Sequence, residues 1–235
     1  MKQTTKQGQA CAQEAVTQFY DRLIFPSKSS HPEYEALVPN DLQGKKFGDF
    51  GCGQSLFIDV FRRYDYDAIF LDVSQNVIDG INYGQAICAS LTDIPLDDNC
   101  LDHIFCIGVV HHIPEMEKAI EEIIRVLKPD GVLTLGVYAP KTTQALLRKW
   151  YDRSPTIGKR VVTKLSRVLI WCKNRKNGLS KEDCDKRVDD LLNTPLVRYI
   201  PTDAYGRIIG RCNAEIRHVG RISQMNVLTV TKQQS

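Results

Sequence analysis

Three groups of residues have the types and spacing to do chemistry. The first is Asp49, Gly51 and Gly53, within Phe47 to Phe57, FGDFGCGQSLF. An apolar run ends in an acid, a glycine-rich turn follows, and the next segment reads as the start of a helix. Gly51 and Gly53 carry no Cβ and can take positive φ, so a ligand can lie against their main chain beside the amides that open the helix. That is a nucleotide-shaped socket, although the same residues also suit an ordinary tight strand-to-helix turn. The second is Asp72, about twenty residues past the turn, where a carboxylate at a strand end can accept both hydroxyls of a ribose. It equally suits an acid in the turn ahead of Ser74. The third is the pair His111 and His112. Adjacent histidines cannot both face one metal as an i, i+4 helical pair does, so no metal site is expected there. An imidazole that titrates near neutral pH suits a general base toward an acceptor hydroxyl. The plainer alternative has one histidine packed beneath the loop and the other solvated.

These residues need a scaffold that brings strand ends together. From Lys46 onward, short apolar strands alternate with helical segments, the signature of an α/β fold with a parallel sheet covered on both faces. The pattern predicts strands over Phe47–Phe50, Ala68–Asp72, Gln85–Ser90, Asp102–Val110 and Val132–Tyr138. Helices are predicted near Gln54–Arg63, Ser74–Tyr83 and Glu115–Leu127. The last carries an apolar stripe of Ile120, Ile123, Ile124 and Leu127, with Lys128 at its end as the helix dipole prefers. Pro129, Asp130 and Gly131 then turn the chain into the next strand. Ala214–Ile222 and Val227–Thr231 read as two terminal strands, following a helix from near Asp203 that Thr202 can cap and that stops at Cys212 and Asn213.

The dinucleotide-binding fingerprint requires a third glycine where this chain has Leu56, so that reading weakens. An acid, one spacer and Gly-Cys-Gly instead resemble the first motif of the class I methyltransferases that use S-adenosylmethionine. The run from Ala89 to Leu133, ASLTDIPLDDNCLDHIFCIGVVHHIPEMEKAIEEIIRVLKPDGVL, resembles the corresponding stretch of the small-molecule, type 11 group, which includes quinone-ring methyltransferases. The resemblance covers roughly residues 47–138. It implies a Rossmann-like methyltransferase fold: a mostly parallel seven-stranded sheet, a C-terminal antiparallel pair and a helical insert. It implies S-adenosylmethionine as cofactor, with Asp49 and the Gly51 and Gly53 main chain facing its methionine part, Asp72 its ribose and Val73 one face of its adenine. Where the family commonly has an acid for the adenine amino group, this chain has Ser90, a neutral acceptor; Leu91 N–H would donate to the ring. Gly108 would lie near the methionine amino group. A glycine usual in the family is replaced by Ser55.

Methyl transfer from a sulfonium is a one-step displacement, so a strong catalytic constellation is not required. The enzyme mainly aligns the acceptor and excludes water.

The chain has 235 residues, 43% of them hydrophobic, enough for one domain with a continuous core. Its expected parts are an N-terminal helical lid over 1–40, a cofactor-binding core over 45–139, a basic helical insert over 140–200, and the last helix and terminal strands over 201–235. Tyr20, Tyr34 and His31 are candidate substrate-side groups, as are Arg198, Tyr199 and Arg207. No run approaches a membrane span and the N-terminus has no signal-peptide core, which predicts a cytoplasmic protein. Eight cysteines without a CxxC pair suggest neither a zinc site nor a disulfide framework.

Between Lys141 and Gly178 stand eleven basic residues and one acid, Asp152, on a chain of net charge +3. Leu165, Val168, Leu169 and Cys172 form an apolar row at helical spacing, with Trp150 and Trp171 nearby. The segment reads as basic amphipathic helices with four alternatives: a solvated lid packed by its apolar row, contact with an anionic membrane, attraction of an anionic small or carrier-bound substrate, or binding of RNA phosphates. No stacking motif accompanies the last, and no NPPY-type motif for amino-group methylation is present. The expected acceptor is small or lipid-like, with an RNA methyltransferase and a non-catalytic scaffold as rivals. The oligomeric state is left open.

Overall fold

The computed structural model describes residues 6–23, 32–39, 44–174 and 180–234. His31 and the insert cations Arg175 and Lys176 lie outside them. In chain order the elements are α1 (Lys6–Arg22), α2 (Pro32–Glu35), β1 (Lys46–Phe50), α3 (Ile58–Arg63), β2 (Asp67–Asp72), α4 (Gln75–Ile78), β3 (Gln85–Cys88) and β4 (Leu101–Ile107). A 3-10 turn (Val110–His112) leads to α5 (Met116–Val126), β5 (Leu127–Tyr138), α6 (Thr143–Arg153), α7 (Thr156–Asn174), α8 (Lys181–Asn193), α9 (Thr202–Arg211), β6 (Ala214–Ile222) and β7 (Met225–Lys232).

The seven strands form one sheet in the order β3-β2-β1-β4-β5-β7-β6, parallel from β3 to β5 and antiparallel at β5–β7–β6. Side chains alternate between two apolar layers, as a parallel sheet covered on both faces demands. Along β2, Ala68 and Phe70 join the layer with Phe47, Phe57 and Phe61, while Ile69 and Leu71 join the layer under α5 and α9. The stripe expected on α5 is there, with Ile120, Ile123 and Ile124 buried. Strand order reverses between β1 and β4, so their C-terminal ends diverge and open a crevice.

Several element boundaries differ from expectation for local reasons. Ser55 has φ 51°, which no helix admits, so α3 begins at Ile58 rather than Gln54. α4 ends at Ile78, ahead of Gly80, rather than running to Tyr83. Gly108, at φ 83°, ends β4 early and lifts the histidines onto the 3-10 turn. The Pro129–Gly131 turn survives as an irregularity inside β5: Asp130 has φ 61°, and pairing steps from Leu101 with Leu127 to His103 with Val132. Thr202 does not cap α9, whose N-cap position is Pro201 and carries no side-chain bond. Asn213 does adopt the left-handed conformation after α9, at φ 54°.

The segment between β5 and α9 is helical, and α7 packs on α8 through Val162 against Val188, Leu191 and Leu192. This is not the apolar row read from the sequence. Leu165, Val168 and Leu169 are exposed on the neighbouring arc of α7, and Cys172 is exposed too. Among the described residues no helix is long and apolar enough to cross a membrane.

Candidate active site

The glycine turn sits at the C-terminal end of β1 and is held on both sides. Gly51 and Cys52 N–H groups donate to Leu71 O at 2.6 and 3.1 Å, tying the turn to β2. Gly51 has φ 68°, and a Cβ there would lie 2.4 Å from Val109 Cγ2, so only glycine lets the turn pass this close to the chain after β4. Gly53 has φ 52° and nothing within 4 Å of its would-be Cβ, so its outer side is open.

Asp72, at the end of β2, reaches back to this turn. Its Oδ2 accepts from Gly53 N–H and its Oδ1 from Ser74 N–H, both at 3.0 Å. An ionised carboxylate has about four lone-pair positions, so beside these bonds it keeps acceptor capacity for a ligand hydroxyl. Burial raises its pKa, against the opposing effect of the main-chain N–H groups of Gly53, Ser74 and Val73.

Asp49 is buried, and Ser55 Oγ donates to its Oδ2 at 2.5 Å. Ser55 Oγ also accepts from Phe57 N–H at 3.1 Å. The residue that replaces the family's usual glycine thus keeps the left-handed backbone and adds a hydroxyl clamp on the acid. Burial pushes the Asp49 carboxyl up to about 7, with Ser55 opposing and the Asp72 charge adding to the rise.

Gly108 at the end of β4 faces the same crevice across the switch point and is anchored by its N–H to Gly136 O at 2.9 Å. Val73 follows Asp72 directly and is half-buried. Ser90 lies after β3 with its hydroxyl engaged: it accepts from Thr92 N–H at 3.2 Å and shares a 2.8 Å hydrogen bond with Thr92 Oγ1. The Leu91 side chain belongs to the core. The fold therefore gathers Asp49, Gly51, Gly53 and Asp72 around one turn, Gly53 bonded to Asp72, Gly51 to Leu71 O and Asp49 to Ser55, with Gly108 across the crevice and Ser90 and Leu91 after the neighbouring strand.

The histidines stand beyond Gly108. His112 is buried and its Nδ1 lies 2.7 Å from Leu196 O. A carbonyl only accepts, so Nδ1 carries the proton and the ring fixes the 194–197 loop. His111 is fully buried, and neither ring nitrogen has a hydrogen-bond partner. Its ring centroid is 4.1 Å from that of Tyr138 and 4.3 Å from that of His112. Burial lowers both imidazole pKa values, and His112 adds to the effect on His111, so both rings are neutral at pH 7.

Around them lies a cluster that no local sequence pattern marks. Asp190 of α8 accepts from Tyr20 OH of α1 at 2.9 Å and from Tyr138 OH at 3.3 Å. Burial, then the Asp190 charge, keeps both phenols protonated well above the ordinary range. Tyr199 stacks on Tyr138 at 6.0 Å with its own hydroxyl buried and unpartnered. Tyr20 and Tyr199 were candidates from the sequence. Asp190 was not, because nothing separates it there from Asp185 and Asp189, which pair with Arg167. Two other candidates fall outside the cluster. Arg198 donates to the carbonyls of Ile113 and Pro114, locking the loop after the histidines, and Arg207 pairs with Asp203 on the surface.

The donor set fits S-adenosylmethionine. A close-approach glycine turn, an adjacent buried acid and a strand-end carboxylate with free lone pairs match a ligand bearing an amino acid group and a ribose.

Comparison with known proteins agrees with the geometry. Residues 48–135 match a family model described as a methyltransferase domain, type 11. An uncharacterized protein of Methanocaldococcus jannaschii is 33% identical over 123 residues, 51% of this chain and 50% of that protein. A malonyl-[acyl-carrier protein] O-methyltransferase of Serratia marcescens is 27% identical over 126 residues, 52% of this chain and 45% of that protein. The chain thus spans about half the length of these relatives. Magnesium protoporphyrin IX methyltransferase of Synechocystis PCC 6803 shares the fold at TM-score 0.60 and 14% identity, covering 95% of this chain and 99% of that one. The end of β1, the glycine turn, β2 and β4 lie inside the matched segment, so residues 48–135 are similar to the class I, type 11 S-adenosylmethionine-dependent methyltransferase domains.

Proposed function

We propose that this chain transfers a methyl group from S-adenosylmethionine to a small-molecule or lipid-like acceptor by direct displacement. The observation that carries the reading is the bonded convergence of the β1 turn and the β2 carboxylate, Gly53 N–H to Asp72 Oδ2, at the switch point of a methyltransferase-type sheet. When bound, the cofactor supplies a methyl group already activated on a sulfonium.

The chain's residues hold and orient. Asp49 and the Gly51 and Gly53 main chain take the methionine part, with Gly108 beside its amino group. Asp72 takes the ribose hydroxyls, Val73 covers an adenine face, and Ser90 and Leu91 N–H meet the adenine edge. On the acceptor side, His111 rather than His112 meets the incoming group, because its ring nitrogens are unengaged while His112 is committed to Leu196. A neutral, buried imidazole accepts a hydrogen bond from an acceptor hydroxyl and positions it more than it deprotonates it. Tyr138 and Tyr199 complete an aromatic wall. The name of the Serratia relative, an O-methyltransferase acting on a carrier-bound acyl group, supports an acceptor of this size class.

The Asp49 carboxyl gives a pH signature. Raised to about 7, it is largely protonated at pH 6 in the free protein and largely ionised at pH 8. A ligand ammonium favours the ionised form, so S-adenosylhomocysteine should bind about tenfold more tightly at pH 8 than at pH 6. The sign for folding is opposite. The folded state holds this proton more tightly than the unfolded chain, so the group's stabilising contribution is full below about pH 4 and is lost as pH rises through 7. Titration calorimetry of the wild type and Asp49→Asn checks this: the variant should lose most of the pH dependence, and an unchanged dependence would show that another group is responsible.

The function itself is tested with cofactor carrying a labelled methyl group, incubated with purified protein and a cell extract separated into organic-soluble, aqueous small-molecule, RNA and protein fractions. Label should enter the organic or small-molecule fraction. Label confined to RNA would replace the acceptor class, and no label in any fraction would contradict methyl transfer.

A further inference from the structure

α7 presents two faces of different character. One packs inward, with Val162 and Ser166 buried toward α8. The other carries Ile157, Val161, Leu165, Val168 and Leu169, which fall within one arc of about 120° at 100° per residue. All five are exposed, Ile157 at 78% and Leu169 at 68%, and α6 adds Leu146 and Trp150 at 63% each. Large apolar side chains grouped on one face, rather than scattered, mark an interaction surface.

The charges around this face are sorted. Arg160 and Lys164 border one side of the apolar arc on α7, and Lys149 and Arg153 lie along one side of Trp150 on α6, all four exposed. The acids of the region are paired: Asp152, which lines the groove beside α6, is bound to Arg148, and Asp185 and Asp189 of α8 pair with Arg167 on the packed side. The outward face is therefore apolar with a cationic border on the side away from α8, as in helices that lie in a lipid headgroup layer. That charge pattern chooses among occupants. A second copy of the chain would set like charges against each other. A polyphosphate backbone would satisfy the cations but leave isoleucine, valine and leucine against water.

We propose that the outward face of α6 and α7 docks onto an anionic lipid bilayer, with Trp150, Ile157, Leu165 and Leu169 entering the headgroup layer and the flanking lysines and arginines meeting lipid phosphates. The docked face runs into a groove of about 500 Å³ lined by Pro140, Lys141, Leu146, Lys149 and Tyr199. Tyr199 stacks on Tyr138, which contacts His111. On the methyl-transfer reading, which this clause alone assumes, an amphiphilic acceptor passes from the bilayer along the groove to the cofactor.

The test is co-sedimentation of the full chain with vesicles of phosphatidylcholine alone or with 30 mol% phosphatidylglycerol, at low and high salt. Binding should be at least about tenfold stronger on the anionic vesicles and should fall in high salt. Leu165→Ser combined with Leu169→Ser, and separately Arg160→Glu combined with Lys164→Glu, should each lower it at least about tenfold. All four side chains are outward, so circular dichroism melts and S-adenosylhomocysteine affinity should stay as in the wild type; retained cofactor binding separates failure of docking from failure of the methyltransferase reading. No partition onto anionic vesicles overturns the proposal, as does equal binding by wild type and variants. Light scattering that shows a dimer dissociated by the serine pair would make the face a self-interface, and RNA binding without vesicle binding would assign it to nucleic acid; either result overturns it.

Discussion

Asp72→Ala should weaken S-adenosylhomocysteine binding by about a hundredfold or more while leaving a folded protein. Hydrogen bonds to a charged group contribute about 1.5–3 kcal/mol each, and two ribose hydroxyls on one carboxylate give about 3–6 kcal/mol, a factor of about 10² to 10⁴. The same substitution frees Gly53 N–H and Ser74 N–H, each now 3.0 Å from an Asp72 oxygen, so the turn loses one of its ties to β2 as well as its ligand contact, while the Gly51 and Cys52 bonds to Leu71 O remain. The fold should tolerate the change better than binding does, because burial already works against the ionised carboxylate in the free protein. Asp72→Asn sharpens the test. Either amide orientation sets an NH2 group against one of the two main-chain donors, so asparagine cannot keep both bonds and should lose most of the affinity that alanine loses. Calorimetric titration with a circular dichroism melt of each variant separates the two effects. Near-wild-type affinity in Asp72→Ala would remove Asp72 from the site.

Gly51→Ala should be strongly destabilising for a single added methyl. The residue has φ 68°, which costs a side-chain-bearing residue about 1–2 kcal/mol. Its Cβ would lie 2.4 and 2.5 Å from the two methyl groups of Val109, a residue stiff at χ1 that cannot swing aside cheaply. Together these should cost about 2–4 kcal/mol, a fall in Tm of about 5–15 °C for a chain of this size, with cofactor binding lost. Gly53→Ala is the control, because it also has positive φ but meets nothing within 4 Å. It should cost only the backbone term in stability and act chiefly on ligand affinity. Val109→Ala in the Gly51→Ala background should restore about half of the lost stability by clearing the clash. If Gly51→Ala and Gly53→Ala melt alike, the close approach to Val109 is not what demands glycine.

The sequence was most legible where one residue type has one physical use. Gly51 and Gly53 announce positive φ, Asp72 ends a buried strand, and the α5 stripe has a single period. The mostly parallel sheet with its antiparallel end followed from those signals and from the family resemblance. Three features were not legible. Ser55 looked like a mild departure from glycine, because its value lies in the hydroxyl's reach to Asp49, six residues back in the chain. Asp190 joins Tyr20 and Tyr138 across 170 and 52 residues, and its role depends on how α8 docks, which local pattern does not encode. α7 carries two apolar arcs of the same period, and periodicity cannot say which is covered. The row at Leu165, Val168 and Leu169 is the longer one, yet Val162 makes the packing contact with α8.

The most direct test of the account is a calorimetric titration of the purified wild-type chain at pH 8 with S-adenosylmethionine, S-adenosylhomocysteine and, in parallel, a nicotinamide dinucleotide. The bonded turn, the strand-end carboxylate and the absence of a third glycine at Leu56 predict one site per chain, micromolar or tighter affinity for the two sulfur nucleosides, and none for the dinucleotide. No heat with either sulfur nucleoside at millimolar concentration, or equal affinity for the dinucleotide, would contradict the assignment of the β1–β2–β4 crevice as a methyl-donor site.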